Sequence, residues 1–378
     1  MMEKLNVIIS GGGTGGHIFP AISIANGIKE INPNANILFV GATGRMEMER
    51  VPAAGYRIIG IPAQGLKRPL YHPHNLKVAL DYFRCKIKAR RIIKEFKPDV
   101  IVGVGGYASA AIVGVAAKSG LPTLLQEQNS FAGIVNRSNG KYADKICVAY
   151  DGMERFFPKE KIMITGNPIR KDITKSTPQM REEAYRFYNL DPGKKTIFVV
   201  GGSLGCRTLN ECMKKEISTG NLFSSKELGS CQVIWQCGKF YKEEVDEFMK
   251  GQKEVNVNHT DFIQRMDLAY AAADIVISRA GAGTISELCV AGKCTIFVPS
   301  PNVAEDHQTH NAMALVHKYA AMMVKDSDAI NELFKTVKGL LNNPAKIQEM
   351  ERNIITLGKK DAAHVIAKEC IKLSGLKK

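Results

Sequence analysis

The chain has 378 residues, of which 45% are hydrophobic and 24% are charged, a composition typical of a soluble globular protein with room for two domains. The formal net charge of +15 predicts an anionic partner such as a phosphorylated substrate, an anionic lipid surface or nucleic acid. The nine cysteines show no CxxC or metal-ligand spacing, which favours reduced thiols, and the N-terminus lacks the pattern of a secretory signal.

The first predicted element is a buried parallel strand at Leu5–Ile9. It is followed by SGGGTGGHIFPAISIA (Ser10–Ala25), in which Pro20 and the spaced apolar residues favour a helix. Glycine allows backbone N–H groups to approach an anion at a helix N-terminus. The strand, the turn Gly11–Gly16 and the helix therefore predict a phosphate-binding loop that ends at His17.

Two other kinds of phosphate-binding loop are possible for this turn. Gly11, Gly13 and Gly16 satisfy the GxGxxG pattern of dinucleotide-binding enzymes. That pattern also requires an acidic residue after the second strand, whereas Asn36–Val40 is followed by Gly-Ala-Thr at 41–43. The chain has no GxxxxGK[ST] sequence, so we do not expect a nucleoside-triphosphate loop either.

The segment Leu66–Lys97 carries ten basic residues against Asp81 and Glu95. Apolar residues at helical spacing lie among them, namely Leu76, Leu80, Phe83 and Ile87. One interpretation is a helix that packs on the core with a solvated basic face. The other is docking on an anionic membrane surface. Nucleic acid is not expected, because no nucleic-acid-binding motif accompanies the charge.

The next segment, Val100–Ala117, is uncharged and approaches the length of a membrane span. The glycines at 103, 105, 106 and 114 and the preceding Pro98–Asp99 instead favour a strand, a glycine loop and a buried helix. Within this loop, Gly105, Gly106, Tyr107 and Ser109 are candidates for phosphate binding. The alternative for Tyr107 and Ser109 is simple packing.

The pattern recurs in the second half of the chain. The strand Lys195–Val200 precedes GGSLG at 201–205, and DIVISRAGAGTISE at 274–287 contains another strand and glycine loop. Alternating strands and helices predict an α/β protein with two Rossmann-like, doubly wound domains that face a cleft. We place the domains at 1–165 and 171–350, and we expect helices at 351–378 to pack back on the N-terminal domain.

Two acidic candidates lie in the second half. Glu287 could accept hydrogen bonds from both hydroxyls of a ribose, or it could simply be a first-turn glutamate stabilised by the helix dipole by about 0.3–1 kcal/mol. Asp326-Ser327-Asp328 has the form of a metal-binding DxD sequence. Because it precedes the apolar-periodic Ala329–Val337, Asp328 is better interpreted as a helix N-cap. We predict no metal and no cofactor.

Taken together, these segments closely resemble the MurG family of membrane-associated glycosyltransferases. The resemblance rests on motifs in order along both halves: GGGTGGHIFPAISIA (11–25), GVGGYAS (103–109), QEQNSFAGIVNR (126–137), GNPIR (166–170), GGSLGCRTLN (201–210), FIQRMDLAYAAADIVISRAGAGTISE (262–287) and DHQTHNA (306–312). It implies a B-type glycosyltransferase fold. It also implies inverting, metal-independent transfer of N-acetylglucosamine from UDP-N-acetylglucosamine to the C4 hydroxyl of lipid I, at the cytoplasmic face of the cell membrane.

The resemblance also implies roles for individual residues. The donor contacts implied are Thr14, Gly15, Gly16, Asn129, Arg170, Ser203, Ile263, Ala282, Gly283, Thr284, Glu287, Gln308 and Asn311. The expected acceptor-binding residues are Gly11, Gly12, Gly13, Gly105, Gly106, Tyr107 and Ser109. Three residues depart from the common family pattern, namely Gln126, Cys206 and Cys294.

The acceptor hydroxyl must lose its proton as it attacks the donor sugar. His17 is a candidate general base, since its unperturbed pKa of about 6.5 suits neutral pH. A positioning or purely structural role for His17 stays open, and Glu127 and Asp306 are the competing carboxylates. The rival functions are a diacylglycerol glycosyltransferase, a UDP-N-acetylglucosamine epimerase and a non-catalytic scaffold in cell-wall assembly.

Overall fold

The computed structural model describes residues 4–65, 74–202, 204–220, 231–252 and 256–375. The chain forms two compact units. The first unit comprises Met1–Ile169 and Lys359–Lys378, and the second comprises Arg170–Gly358. Each unit contains one parallel β-sheet flanked by helices. The prediction of two Rossmann-like α/β domains is confirmed.

The first unit alternates strands and helices along most of its length. Its elements are β1 (Asn6–Ser10), α1 (Gly15–Ile31), β2 (Asn36–Ala42), α2 (Glu47–Ala53), β3 (Arg57–Ile61), α3 (His74–Phe96), β4 (Val100–Gly103), α4 (Tyr107–Lys118), β5 (Thr123–Glu127), α5 (Ile134–Gly140), β6 (Lys145–Val148) and β7 (Ile162–Ile164).

The sheet of the first unit has the order β3-β2-β1-β4-β5-β6-β7. The strand order therefore reverses between β1 and β4, which pair in parallel with Val7 opposite Val100. Ligands of open α/β sheets bind beyond the carboxyl ends of the strands at such a reversal. The two glycine loops of this unit, after β1 and after β4, both lie at that point.

The second unit repeats the alternation with its own sheet. Its elements are α6 (Pro178–Phe187), β8 (Thr196–Val200), α7 (Arg207–Thr219), β9 (Gln232–Gln236), α8 (Lys242–Lys250), β10 (Val257–Thr260), α9 (Met266–Ala272), β11 (Ile275–Ser278), α10 (Ala282–Ala291), β12 (Thr295–Phe297), α11 (His307–Val316), β13 (Met322–Met323), α12 (Ala329–Leu341) and α13 (Pro344–Ile355).

The sheet of the second unit has the order β10-β9-β8-β11-β12-β13. Here the order reverses between β8 and β11, with Ile275 opposite Ile197. The central strands β8, β11 and β12 are buried and rich in branched residues, as expected for a parallel sheet covered by helices on both faces. The glycine loops that follow β8 and β11 again lie at the reversal.

The last helix, α14 (Ala362–Leu373), belongs to the first unit. Ile366, Ala367 and Cys370 lie in the same apolar cluster as Ile24 and Ile28 of α1. The helices approach closely, because a Cβ added at Gly27 would lie 2.9 Å from the carbonyl oxygen of Ala363. The preceding helix, α13, packs within the second unit, where Met350 joins the core.

Helix α3 shows an unusual distribution of apolar residues. Val78, Cys85, Ala89 and Ile92 are buried, whereas the four residues that gave the sequence its helical apolar spacing are 53–73% exposed: Leu76, Leu80, Phe83 and Ile87. Helix α3 therefore packs on the core, as one interpretation predicted, but it does so through the buried residues and not through these four. Residues 66–73 of the predicted basic segment lie outside the described residues.

The segment Val100–Ala117 folds as predicted, with strand β4, a glycine turn and most of the buried helix α4. Within the described ranges, none of the helices combines the length and the apolarity that crossing a bilayer requires. All nine cysteines are buried and unpaired.

Candidate functional site

The glycine loops of the first unit contact each other directly. A Cβ at Gly106 would lie 2.4 Å from the carbonyl oxygen of Gly12, and Gly106 has φ +86°. A Cβ at Gly105 would lie 2.9 Å from Nε2 of His17. The loop after β4 thus packs closely against the loop after β1 and against the imidazole ring, and only glycine permits both contacts.

His17 lies in the first turn of α1 and is half-buried. Its Nδ1 is 3.3 Å from Oγ1 of Thr14, the N-cap residue, and its backbone N–H donates to the carbonyl of Thr14 at 3.1 Å. Gly15 and Gly16 complete the first turn. Thr14 therefore orients the imidazole ring, and the geometry is compatible with both the base and the positioning role.

Sequence reasoning missed a buried carboxylate behind the first loop. Glu47, at the start of α2, is fully buried. Its Oε2 accepts the N–H of Gly13 at 3.0 Å, and its Oε1 accepts the N–H of Ala42 at 2.9 Å. We expected the N–H of Gly13 to face an acceptor phosphate, but Glu47 already holds that group. Its position soon after β2 was the one available hint.

Glu127, a candidate base, is 1% exposed at the end of β5. Its carboxylate accepts from the N–H of Asn129 at 3.0 Å, from the N–H of Gly133 at 3.1 Å and from Nδ2 of Asn136 at 2.9 Å. Burial raises the pKa of Glu127, and these hydrogen bonds offset part of that rise. The contacts favour an organising role for Glu127 in the loop that carries Asn129.

The two uncertain residues of the loop after β4 differ in environment. Ser109 is fully buried, and a Cβ at Gly103 would lie 2.8 Å from its hydroxyl oxygen. The burial of Ser109 favours packing, the alternative given above, over acceptor binding. Tyr107 is 52% exposed and lies against Gly65, whose added Cβ would be 2.5 Å from the phenol oxygen.

In the second unit, the glycine loop after β11 leads into the N-terminus of α10. Gly281 is the N-cap and offers no side-chain acceptor to the helix. Ala282, Gly283 and Thr284 form the first turn, and a Cβ at Gly283 would meet nothing within 4 Å. First-turn N–H groups lack intrahelical acceptors, so this end of α10 favours an anion.

Glu287 lies one turn further along α10 and is 9% exposed. Arg170 donates to it through Nε at 3.0 Å to Oε1 and through Nη2 at 3.2 Å to Oε2. The hydroxyl of Tyr270 donates to Oε2 at 3.2 Å. Burial raises the pKa of Tyr270 well above 10, and the nearby carboxylate adds to the rise. Tyr270 was not predicted from the sequence.

The predicted residues of α11 have different degrees of burial. Oε1 of Gln308 accepts the N–H groups of Ala280 at 3.2 Å and of Ser300 at 2.9 Å. Only the Nε2 end of Gln308 therefore remains suited to a sugar hydroxyl. Asn311 is fully buried. Asp306 is exposed, has the uncommon φ of +49°, and accepts from the hydroxyl of Thr309 at 2.7 Å.

Arg279, at the start of the loop after β11, joins several parts of the second unit. It donates to the carbonyls of Val298 and Pro299 at 2.9 and 3.0 Å and pairs with Asp326 at 2.5 Å. The predicted N-capping by Asp328 is half right, because Asp328 occupies the N-cap position of α12 but its side chain makes no capping bond. In the described part of the chain, no cluster of three or more His, Cys, Asp or Glu side chains could hold a metal ion.

The remaining donor candidates lie around the loops after β8 and β10. Ile263 is buried. Nε2 of Gln236 donates to the carbonyls of Gly202 and Asp261 at 2.9 and 3.1 Å, so it ties these two loops together. Ser203 lies outside the described residues.

The three departures from the family pattern pack inside the units. Gln126 is buried and donates to Oδ1 of Asn167 at 2.9 Å. Cys206 caps α7 by accepting the N–H of Leu209 at 3.5 Å. Cys294 lies 3.9 Å from the sulfur of Met350.

Both halves of the chain match descriptions of a known glycosyltransferase family. The family description "Glycosyltransferase family 28 N-terminal domain" matches residues 7–148, and "Glycosyltransferase family 28 C-terminal domain" matches residues 196–366. The first match lies in the first unit. The second covers most of the second unit and extends into α14.

Curated relatives match over nearly the whole chain. A protein of Bacteroides fragilis is 54% identical over 98% of this chain and 96% of its own length, and one of Parabacteroides distasonis is 52% identical over 98% and 99%. Both are named UDP-N-acetylglucosamine–N-acetylmuramyl-(pentapeptide) pyrophosphoryl-undecaprenol N-acetylglucosamine transferase. The crystal structure of Acinetobacter baumannii MurG is 25% identical, with a TM-score of 0.78 over 97% of this chain and 99% of that one.

Proposed function

The chain belongs to the MurG family of glycosyltransferases, and on that premise we propose that it transfers N-acetylglucosamine from UDP-N-acetylglucosamine to lipid I during peptidoglycan synthesis. The observation that carries this proposal is the identity of 54% with a curated transferase across 98% of the chain. The acceptor group is the C4 hydroxyl of the muramyl sugar, and the anomeric centre is inverted.

We assign donor binding to the second unit. The ribose hydroxyls donate to Glu287, whose carboxylate Arg170 and Tyr270 already orient. The pyrophosphate lies at the N-terminus of α10, where the first-turn N–H groups of Gly283 and Thr284 face negative charge. Gln308 contributes its Nε2 to the sugar hydroxyls.

The chemical step is a single displacement. The acceptor oxygen forms a bond to the anomeric carbon while the bond from that carbon to UDP breaks, and the electron pair leaves with the pyrophosphate. Donors aimed at the growing charge stabilise such a transition state by roughly 2.7–4 kcal/mol each, by analogy with oxyanion holes. Backbone N–H groups at the helix N-terminus supply this stabilisation in the proposed metal-independent reaction.

In this proposal the first unit binds the acceptor, and one of its side chains accepts the proton of the acceptor hydroxyl. His17, held by Thr14 and by the close contact of Gly105, accepts the proton of the attacking hydroxyl. We favour His17 over Glu127, because the Glu127 carboxylate is enclosed by its own loop. Asn129 is oriented by Glu127 toward the reacting sugars.

We further propose that α3 docks the protein on an anionic membrane surface, at the cytoplasmic face. The support is the exposed stripe of Leu76, Leu80, Phe83 and Ile87 beside basic residues of the same helix, such as Lys86 and Arg90. Apolar side chains bury in the lipid interface while the basic residues attract anionic headgroups. A lipid-linked acceptor requires such a location.

Release of UDP tests the reaction class. The purified protein should release UDP from UDP-N-acetylglucosamine only when a short-chain lipid I analogue is present. Release on addition of diacylglycerol instead would identify the rival glycosyltransferase. Release of UDP, or formation of the manno epimer, without any acceptor would identify an epimerase, and no turnover with any of these would support a scaffold.

A further inference from the structure

We propose that Glu47 is a positioning residue that fixes the glycine loop after β1 and, through it, Thr14 and His17. The inference rests on the proposed transfer reaction for its kinetic test, but not for its structural test. Glu47 does not touch a substrate in this scheme. It acts through the backbone of the loop.

The carboxylate bridges two backbone segments. Oε2 accepts the N–H of Gly13, which follows β1, and Oε1 accepts the N–H of Ala42, the last residue of β2. Both distances, 3.0 and 2.9 Å, are those of good hydrogen bonds. Glu47 is fully buried, so water does not replace either bond when it is lost.

The surrounding glycines make room for this side chain. A Cβ at Gly12 would lie 2.1 Å from Oε1 of Glu47, and a Cβ at Gly41 would lie 2.6 Å from its Cγ. Real Cβ atoms do not approach other heavy atoms this closely. Two of the glycines near the loop therefore serve to admit the carboxylate, in addition to any direct contact with a substrate.

The position of Gly13 affects the position of the His17 imidazole, because the loop connects them. Gly13 is bonded to Thr14, whose carbonyl accepts the N–H groups of His17 and Ile18 at 3.1 and 3.2 Å. Oγ1 of Thr14 is 3.3 Å from Nδ1 of His17. A shift of Gly13 therefore moves both groups that orient the proposed base.

The site requires a carboxylate specifically. A carboxylate accepts two N–H groups, one on each oxygen, whereas an amide accepts through its oxygen and presents NH₂ at the other position. In Glu47→Gln, one of the N–H groups of Gly13 and Ala42 faces another donor. The substitution keeps the side-chain volume, so the change is in hydrogen bonding and charge.

The matched control is Asp99→Asn. Oδ2 of Asp99 accepts the N–H of Asn6 at 2.7 Å, at the opposite end of the same strand β1. Its single backbone bond survives in an amide. Wild type, E47Q and D99N are compared as full-length proteins by steady-state kinetics with a lipid I analogue, by hydrogen exchange of residues 10–17 and by thermal unfolding.

Misplacement of reacting groups by about 1 Å costs on the order of 100-fold in rate. We therefore expect E47Q to lower kcat at least tenfold, with KM for UDP-N-acetylglucosamine within twofold of wild type. Exchange at residues 10–17 should accelerate in E47Q alone. D99N should retain kcat within twofold. Where E47Q does not fold, Glu47→Asp, which is too short to bridge both N–H groups, replaces it.

A kcat of E47Q within twofold of wild type would overturn the proposal, as would an equal loss of kcat in D99N or unchanged exchange at residues 10–17. If wild-type protein transfers no sugar, the proposed function fails. The exchange comparison then still decides the role of Glu47, since it requires no substrate.

Discussion

Arg170 and Glu287 form a two-bond ion pair, with Nε 3.0 Å from Oε1 and Nη2 3.2 Å from Oε2. The hydroxyl of Tyr270 adds a third hydrogen bond to the same carboxylate. Bidentate arginine–carboxylate pairs fix orientation as well as charge. The carboxylate proposed to hold the ribose is therefore held in one orientation by the protein's own side chains.

The ribose assignment predicts how Glu287→Ala changes nucleotide binding. Hydrogen bonds to a charged group contribute about 1.5–3 kcal/mol, which is roughly 10- to 150-fold in affinity. Wild type should bind UDP more tightly than 2′-deoxy-UDP by calorimetry, whereas E287A should bind both weakly and equally. Glu332→Ala removes an exposed glutamate that pairs with Lys335, and it should keep the preference. Retention of the preference in E287A would contradict the assignment.

The contact between the two loops of the first unit predicts a large effect of Gly106→Ala. Gly106 has φ +86° and ψ +164°, a backbone region essentially restricted to glycine, and an alanine there costs on the order of 1–3 kcal/mol in conformation alone. Gly44→Ala is the control for an alanine at a positive-φ glycine without a close contact, since Gly44 has φ +72° and an added Cβ meets nothing within 4 Å. In G106A the Cβ also lies 2.4 Å from the Gly12 carbonyl. The free energy of unfolding, measured with denaturant, should decrease more in G106A than in G44A. Equal decreases in the two variants would contradict the contact.

Lys293 predicts a pH-dependent stability. It is 5% exposed and donates to the carbonyl of Ala273 at 3.1 Å. Burial lowers its pKa from 10.5 to about 8, with Arg181 lowering it further and Glu351 and Asp274 acting in the opposite direction. Below pH 8 the folded state therefore carries an unfavourable buried charge, which lowers the free energy of unfolding. This destabilisation disappears as the pH rises from about 8 to 10.5.

Lys293→Met tests this prediction, because it removes the buried charge at similar volume. A shift of this size corresponds to about 3 kcal/mol. The variant should unfold at higher denaturant concentration than wild type at pH 7, and the difference should shrink between pH 8 and 10.5. A difference that does not change over this interval would show that the pKa of Lys293 is not lowered in the folded state.

The sequence predicted the fold and the positions of the glycine loops because both depend on local patterns. Strands such as Val100–Gly103 are short apolar runs, and the glycine loops directly follow them, so motif and position agree. The sequence could not predict contacts between residues that are far apart along the chain. Glu47 reaches Gly13 across 34 positions, and Arg170 reaches Glu287 across 117. The sequence left open which face of α3 meets the core, because helical spacing alone does not decide it.

Membrane docking through α3 predicts that Phe83→Glu weakens binding to vesicles of anionic phosphatidylglycerol. Burial of one phenylalanine contributes about 1.5–3 kcal/mol, so binding should fall roughly tenfold or more. Phe187→Glu is the matched control, because Phe187 is 54% exposed against 63% for Phe83 and lies in the second unit. Cosedimentation measures both. Equal binding of the two variants would show that α3 is not the docking surface.

The most direct measurement is the structure of the product formed from UDP-N-acetylglucosamine and a short-chain lipid I analogue in the presence of EDTA. Mass spectrometry and NMR spectroscopy should show one added N-acetylglucosamine, joined by a β linkage to the C4 oxygen of the muramyl sugar. An α linkage would contradict the inverting displacement. The absence of product with EDTA, restored by magnesium, would contradict the role given to the backbone N–H groups, and the absence of product with or without magnesium would contradict the transfer reaction itself.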